Sequence, residues 1–212
     1  MLTTYQLPAA DRTWTHEWEV KRSRFLSYAR RTPTEEDARD FIREIRARHP
    51  DARHHCSAYV IHVPDSHPVE RSSDDGEPSG TAGKPMLDML KGSGLLDVTV
   101  VVVRWFGGVK LGAGGLVHAY SRSVGDLLPE VERVTRAVRE LHRIEVPHAE
   151  AGRLESELRA RGVAVTDTDY GAAVTFTLAV EPGGREELES VLASLTSGTV
   201  APSEAGAAWV EY

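Results

Sequence analysis

Five glycines fall within nine residues just after a run of valines. They are Gly107, Gly108, Gly112, Gly114 and Gly115, in the segment Val98–Ser121 (VTVVVVRWFGGVKLGAGGLVHAYS). Glycine tolerates positive φ and leaves neighbouring N–H groups unobstructed by a Cβ, so such a segment can converge amides on an anion. Arg104 and Lys110 add two cations, and the amphipathic run that follows adds a helix N-terminus with its own orphan N–H groups. The chemistry this predicts is capture of a phosphate or a similar anion. The same composition also suits a tight strand-to-helix turn packed against another element. Two phosphate fingerprints do not fit. Gly112-Ala113-Gly114-Gly115-Leu116-Val117 lacks the third glycine of the dinucleotide pattern, and Lys110 is not followed by the Ser or Thr of a P-loop.

A second irregular stretch, residues 72–85 (SSDDGEPSGTAGKP), carries Asp74, Asp75 and Glu77 and places Lys84 near its end. Three carboxylates so close can offer oxygen to a hard divalent cation, but the spacing is not that of an EF-hand, and loop acids are ordinarily solvated. No metal, cofactor or catalytic residue is assigned. Were the two loops to face each other, acids to hold a metal would meet cations to hold a phosphate. That is the layout of a hydrolase, although neither a nucleophile nor a GxSxG signature stands out. The chain has four lysines against 21 arginines, and Lys84 and Lys110 both sit beside the glycine-rich loops. A compact ammonium differs from a planar guanidinium in shape and hydration.

Other residue groups read more simply. Cys56 is the only cysteine and suits a core position, while His54, His55, His62 and His67 cluster without a CxxC or HExxH pattern. Arg39, Arg43 and Arg46 fall on one helical side, a solvated face partnered by Asp40 and Glu44 or a contact for RNA. Trp105 and Phe106 suit either sealing a core or stacking on a base.

The elements that position these residues are legible from periodicity. Four consecutive valines predict a strand covered on both faces. Residues 15–31 read as extended, Thr34–Asp37 as a capping box opening a helix that ends before Pro50, 56–63 as a strand, and Pro85–Leu90 as a short helix. A further helix runs to about Leu128. Beyond it, 138–146, 163–169, 173–180 and 207–212 suit strands, with helices at 148–161 and around Leu188–Leu195. The resulting order β-α-β-β-α-β predicts a ferredoxin-like domain, with a turn at Tyr170-Gly171 and a boundary between 132 and 138. The fold class is α+β, with domains at 1–134 and 135–212.

Composition sets limits on partners. Hydrophobic residues make up 41% of the 212 and charged ones 27%, as in ordinary globular proteins. No apolar run approaches the roughly 18 residues needed to span a bilayer, so no membrane partner is predicted. The N-terminus has neither the basic start nor the apolar core of a secretory signal, and one cysteine permits no internal disulfide; a cytoplasmic protein is expected. The net charge of −7 arises wholly in residues 141–212, with five basic and 12 acidic side chains, because residues 1–140 carry 20 of each. Phosphate backbones repel an acidic surface, so any nucleic-acid contact belongs to the N-terminal part.

The segments DDGEPSGTAGKPML (74–87) and VVVVRWFGGVKLGAGGLVHAYS (100–121), with KRSRF (21–25) and HHCSAYV (54–60), closely resemble the IMPACT family in its bacterial YigZ-type branch. The resemblance covers nearly the whole N-terminal domain. It implies an N-terminal domain similar to ribosomal protein S5 domain 2 and a C-terminal ferredoxin-like domain similar to the last domain of elongation factor G. It also implies kinship with eukaryotic regulators of translation that bind an activator of a stress kinase, a pathway bacterial members lack. The expected function is therefore binding of RNA or a ribosome-associated protein, with regulation of translation, through Lys84, Arg104, Lys110 and the glycines. The alternatives are a hydrolase of a phosphate-containing substrate and a protein-interaction module.

Overall fold

The computed structural model describes residues 2–212. The chain divides into two compact units, Met1–Thr135 and Arg136–Tyr212. The α+β class holds in both.

The first unit runs β1 (Thr4–Pro8), β2 (Thr13–Val20), β3 (Ser23–Arg31), α1 (Glu35–Arg48), β4 (His54–Ile61), β5 (Val69–Ser73), α2 (Gly83–Ser93), β6 (Val98–Trp105) and α3 (Gly112–Leu127). Its sheet has the order β2-β3-β6-β4-β5, antiparallel throughout. The valine strand β6 is central and covered on both faces, as its β-branched composition predicts. Val100 and Val102 point with Phe25 and Cys56 to the side where Met86 and Leu90 of α2 and Tyr120 of α3 pack. Val101 and Val103 face Tyr28 and, from α1, Phe41 and Ile45. Each fully buried valine contributes about 1.5–3 kcal/mol.

Local chemistry explains the element ends. Asp37 N–H donates to Thr34 Oγ1 at 3.1 Å, and Thr34 N–H donates back to the Asp37 carboxylate at 3.1 Å, so the capping box starts α1. The extended stretch 15–31 is in fact a hairpin, β2–β3, in which Val20 pairs with Ser23 across only Lys21 and Arg22. Strand β5, an edge of Val-Glu-Arg-Ser-Ser, has no apolar alternation and escapes a periodicity reading.

The second unit is built from β7 (Arg133–Val146, which enters it at Arg136), α4 (His148–Ala160), β8 (Ala164–Tyr170), β9 (Val174–Val180), α5 (Arg185–Thr196) and β10 (Ser203–Glu211). β10 pairs with β7 between Arg136 and Arg143, β9 pairs with β7 between Glu140 and Val146, and β8 pairs with β9, all antiparallel. Side by side the order is β10-β7-β9-β8, the ferredoxin-like arrangement. Ile144, Val146, Phe176 and Leu178 pack against Leu154 and Leu158 of α4 and Leu188 and Leu192 of α5. Among the described residues, no helix is long and apolar enough to cross a membrane.

Candidate functional site

Register brings the site together. Arg104 pairs with Phe25 on β3 and with His54 on β4, so the last turn of the valine strand lies between the starts of two neighbours. Both glycine-rich segments meet there. A cavity of about 400 Å³ is walled by Arg53 and His54, by Glu77 and Pro78 from the acidic stretch, and by Arg104, Phe106 and residues 110–113. Two loops that are distant in sequence thus face one cleft.

Arg104 is not a free cation. It is 5% exposed, its Nη1 donates to Glu77 Oε1 at 2.6 Å, and its Nη2 reaches Ser23 Oγ at 3.4 Å. The sequence alone cannot show that a carboxylate 27 residues away consumes this charge. Tyr120 Oη–H also donates to Glu77 Oε1, at 2.8 Å. Burial above all, with Cys56 and Glu77 beside it, pushes the Tyr120 hydroxyl well above its ordinary range, so it remains a donor. The remaining polar atom of Arg104, Nε, is buried with no hydrogen-bond partner. Cys56 Sγ–H donates to the Asp74 carbonyl at 3.0 Å, and burial drives its thiol upward, which fits a core position rather than a nucleophile.

The glycine segment divides into two parts. Gly112, Gly114 and Gly115 are not loop residues but form the first turn of α3, leaving Phe106–Leu111 as the loop. Gly107 N–H is engaged by Ser23 Oγ at 3.3 Å. A Cβ on Gly107 would lie 1.9 Å from the Arg22 carbonyl oxygen, so this position packs backbone against backbone. Gly108 takes φ +88° and Gly112 φ +75°, conformations open to glycine at little cost. The start of α3 has no side-chain cap and no acidic residue in its first turn, so its dipole is uncompensated where Gly112 and Ala113 line the cavity.

Other residues of the sequence reading are placed differently. Lys84 projects from α2 into solvent, pairs with Asp88 at 3.1 Å and does not line the cavity. The three acids diverge instead of converging. Asp74 accepts from the N–H groups of Gly80, Ala82 and Gly83 and so caps α2; burial opposes its ionisation, and these backbone donors more than offset that, holding its carboxyl below the usual range. Asp75 accepts from Arg46 and from His55 N–H, both at 2.7 Å. Glu77 belongs to Arg104 and Tyr120. Among the described residues, no cluster of His, Cys, Asp or Glu is arranged to hold a metal. Trp105 is fixed by Nε1–H donation to Asp51 at 2.8 Å and by Arg24 over its ring. Phe106, in contrast, is 44% exposed at the cavity edge.

Lys110 and Arg53 make no ion pair or hydrogen bond within the described chain, and both line the cavity. Arg53 escaped the sequence reading because nothing in its spacing marks it. Lys21 and Arg22 did as well, although KRSRF carried a signal: a two-residue hairpin connection ordinarily wants Asn-Gly, and here both residues take positive φ, +46° and +64°. Such strain costs about 1–2 kcal/mol per residue and concentrates at functional sites. The strained turn presents two exposed cations immediately beside Gly107.

Comparisons with known proteins place the chain. The Impact N-terminal domain model matches residues 21–128, and the model described as a domain of unknown function (DUF1949) matches 144–199. The chain is 39% identical to the IMPACT family member YvyE of Bacillus subtilis, over 86% of this chain and 83% of that protein. It is 37% identical to the IMPACT family member YigZ of Escherichia coli, over 94% and 97%. A crystal structure described as that of a hypothetical protein superposes with a TM-score of 0.63 at 36% identity, covering 95% of this chain and 97% of its own.

Proposed function

This chain belongs to the IMPACT family, and from that premise we propose that its N-terminal cavity binds a phosphate group of RNA within the translation apparatus, as a cytoplasmic regulator of translation. The observation that carries this reading is the uncapped start of α3 opening on a cavity flanked by the unpaired cations Lys110 and Arg53. With Arg104 the lining holds three cations against one carboxylate, Glu77, so its charge favours an anion. Exposed Phe106 offers a base a stacking surface at the rim. The family resemblance, whose eukaryotic members regulate translation, directs the choice of RNA over other phosphate carriers.

The hydrolase alternative draws less support. Its acids are spent, Asp74 and Asp75 on backbone and Arg46, and Glu77 on Arg104 and Tyr120. The test is binding of a short labelled oligoribonucleotide to the intact protein and to Lys110→Ala/Arg53→Ala. Each charge-assisted contact is worth about 1.5–3 kcal/mol, so a loss of at least tenfold is expected. Equal affinity would remove the cavity from the proposal.

A further inference from the structure

The arginine row of α1 points elsewhere. Residues 39, 42 and 46 share one stripe of the helix and look across an open groove toward β5, the uncovered edge of the sheet. This groove, about 370 Å³, lies on the α1 face of the sheet, whereas Tyr120 and α3 cover the other. Strand parity sets its floor: His55, Ser57 and Tyr59 alternate with the core residues Cys56, Ala58 and Val60, and in register Ser57 pairs with Ser73 and Tyr59 with Arg71. Three guanidinium groups, Arg39, Arg46 and Arg71, therefore surround a floor carrying the hydroxyls of Ser57, Ser73 and Tyr59. No carboxylate lines it.

The charges are unequally free. Arg46 is held by Asp75 at 2.7 Å, and Arg39 leans on Glu35 at 3.3 Å, a carboxylate that also accepts from Tyr59 Oη at 2.9 Å. Arg71 donates only to the carbonyl of its neighbour Glu70, so no carboxylate answers its charge. Beneath it, Ser57 is 5% exposed and its hydroxyl forms no hydrogen bond within the described chain. Its side chain lines the groove where the three cations gather, and so is available to a ligand there.

We propose that the groove between α1 and β5 is a second anion site, taking a phosphate group through Arg39, Arg71 and the Ser57 hydroxyl. Guanidinium forks match phosphate oxygens in a planar, bidentate way, and the serine completes the set from below. The shared chemistry is a phosphate ester, whether one unit of a nucleic-acid strand or a free small phosphate. The site stands independently of the α3 cavity, which lies on the opposite face.

The test follows backbone amide signals of Ser57 and Ser73 by NMR while the intact protein is titrated with inorganic phosphate and, separately, with a short oligoribonucleotide. Saturable shifts that persist in Lys110→Ala/Arg53→Ala and weaken at least tenfold in Arg39→Ala/Arg71→Ala are expected. The arginines are exposed, so these variants should fold; Arg71→Lys, keeping charge but losing the fork, should fall between. Tighter saturation by the oligonucleotide identifies a strand as the source, and equal or tighter saturation by inorganic phosphate a free phosphate. Shifts absent with both probes, or unchanged in Arg39→Ala/Arg71→Ala, would overturn the proposal whatever the fate of the α3 cavity.

Discussion

The Arg104 guanidinium and the Glu77 carboxylate meet at 2.6 Å with their side chains 6% and 4% exposed. This pair joins the end of the valine strand to the acidic stretch and forms the floor of the candidate site. Breaking a buried pair leaves an uncompensated charge and costs about 3–5 kcal/mol, whereas replacing both partners with apolar groups of like volume is close to neutral. Glu77→Leu and Arg104→Met alone should each lower the unfolding midpoint strongly, and the double variant should recover most of the loss. Chemical denaturation of the four proteins in a double-mutant cycle measures this. Additive losses in the double variant would contradict the pairing.

A Cβ at Gly107 would collide with the Arg22 carbonyl at 1.9 Å, with backbone on both sides of the contact. Gly107→Ala should therefore cost about 2–4 kcal/mol, while Gly114→Ala, with open space around it on α3, should be neutral or stabilising. Thermal unfolding of the two variants gives the comparison directly.

These two residues show how far the sequence could be read. Composition sufficed for the valine strand, because four β-branched residues in a row have few other homes, and for α1, because its capping box is local. Composition also marked both glycine-rich segments, yet it could not divide Gly107 from Gly114: one is needed for a close approach to a turn more than 80 residues away, the other begins a helix. Arg104, Asp74 and Glu77 were legible as charged residues near glycines. Their partners were not, because pairing across sheet register is set by tertiary placement. Lys84 shows the converse: it is near the glycines in sequence, yet its side chain is exposed on α2, paired with Asp88 and outside the cavity lining.

The Lys21-Arg22 turn stores strain at positive φ. Replacing the pair by Asn-Gly, the residues this turn geometry favours, should raise stability by about 1–2 kcal/mol. Because the two cations flank the candidate site, RNA affinity should fall in the same protein. A gain in melting temperature together with weaker binding would mark a stability cost retained for function; a gain with unchanged binding would assign the turn no role in recognition.

Acid sensitivity follows from Asp74. Its carboxyl is held below the ordinary range by the N–H groups of Gly80, Gly83 and Ala82 against the opposing effect of burial. A depressed folded-state pKa contributes stability that is complete above the unfolded value and is lost as pH falls through the folded one. The protein should therefore lose melting temperature below about pH 4. Asp74→Asn should be less stable at neutral pH and flatter in acid, as melting curves across that range will show. An unchanged acid limb would remove Asp74 from this role.

The most direct test of the cavity is the salt dependence of RNA binding, measured by fluorescence anisotropy for the intact protein and for Lys110→Ala/Arg53→Ala. If these cations meet phosphates at the mouth of α3, affinity falls at least tenfold and the slope of log affinity against log salt becomes shallower by about 0.7 per lost contact with a single strand. The same affinity and the same slope in both proteins would contradict the account.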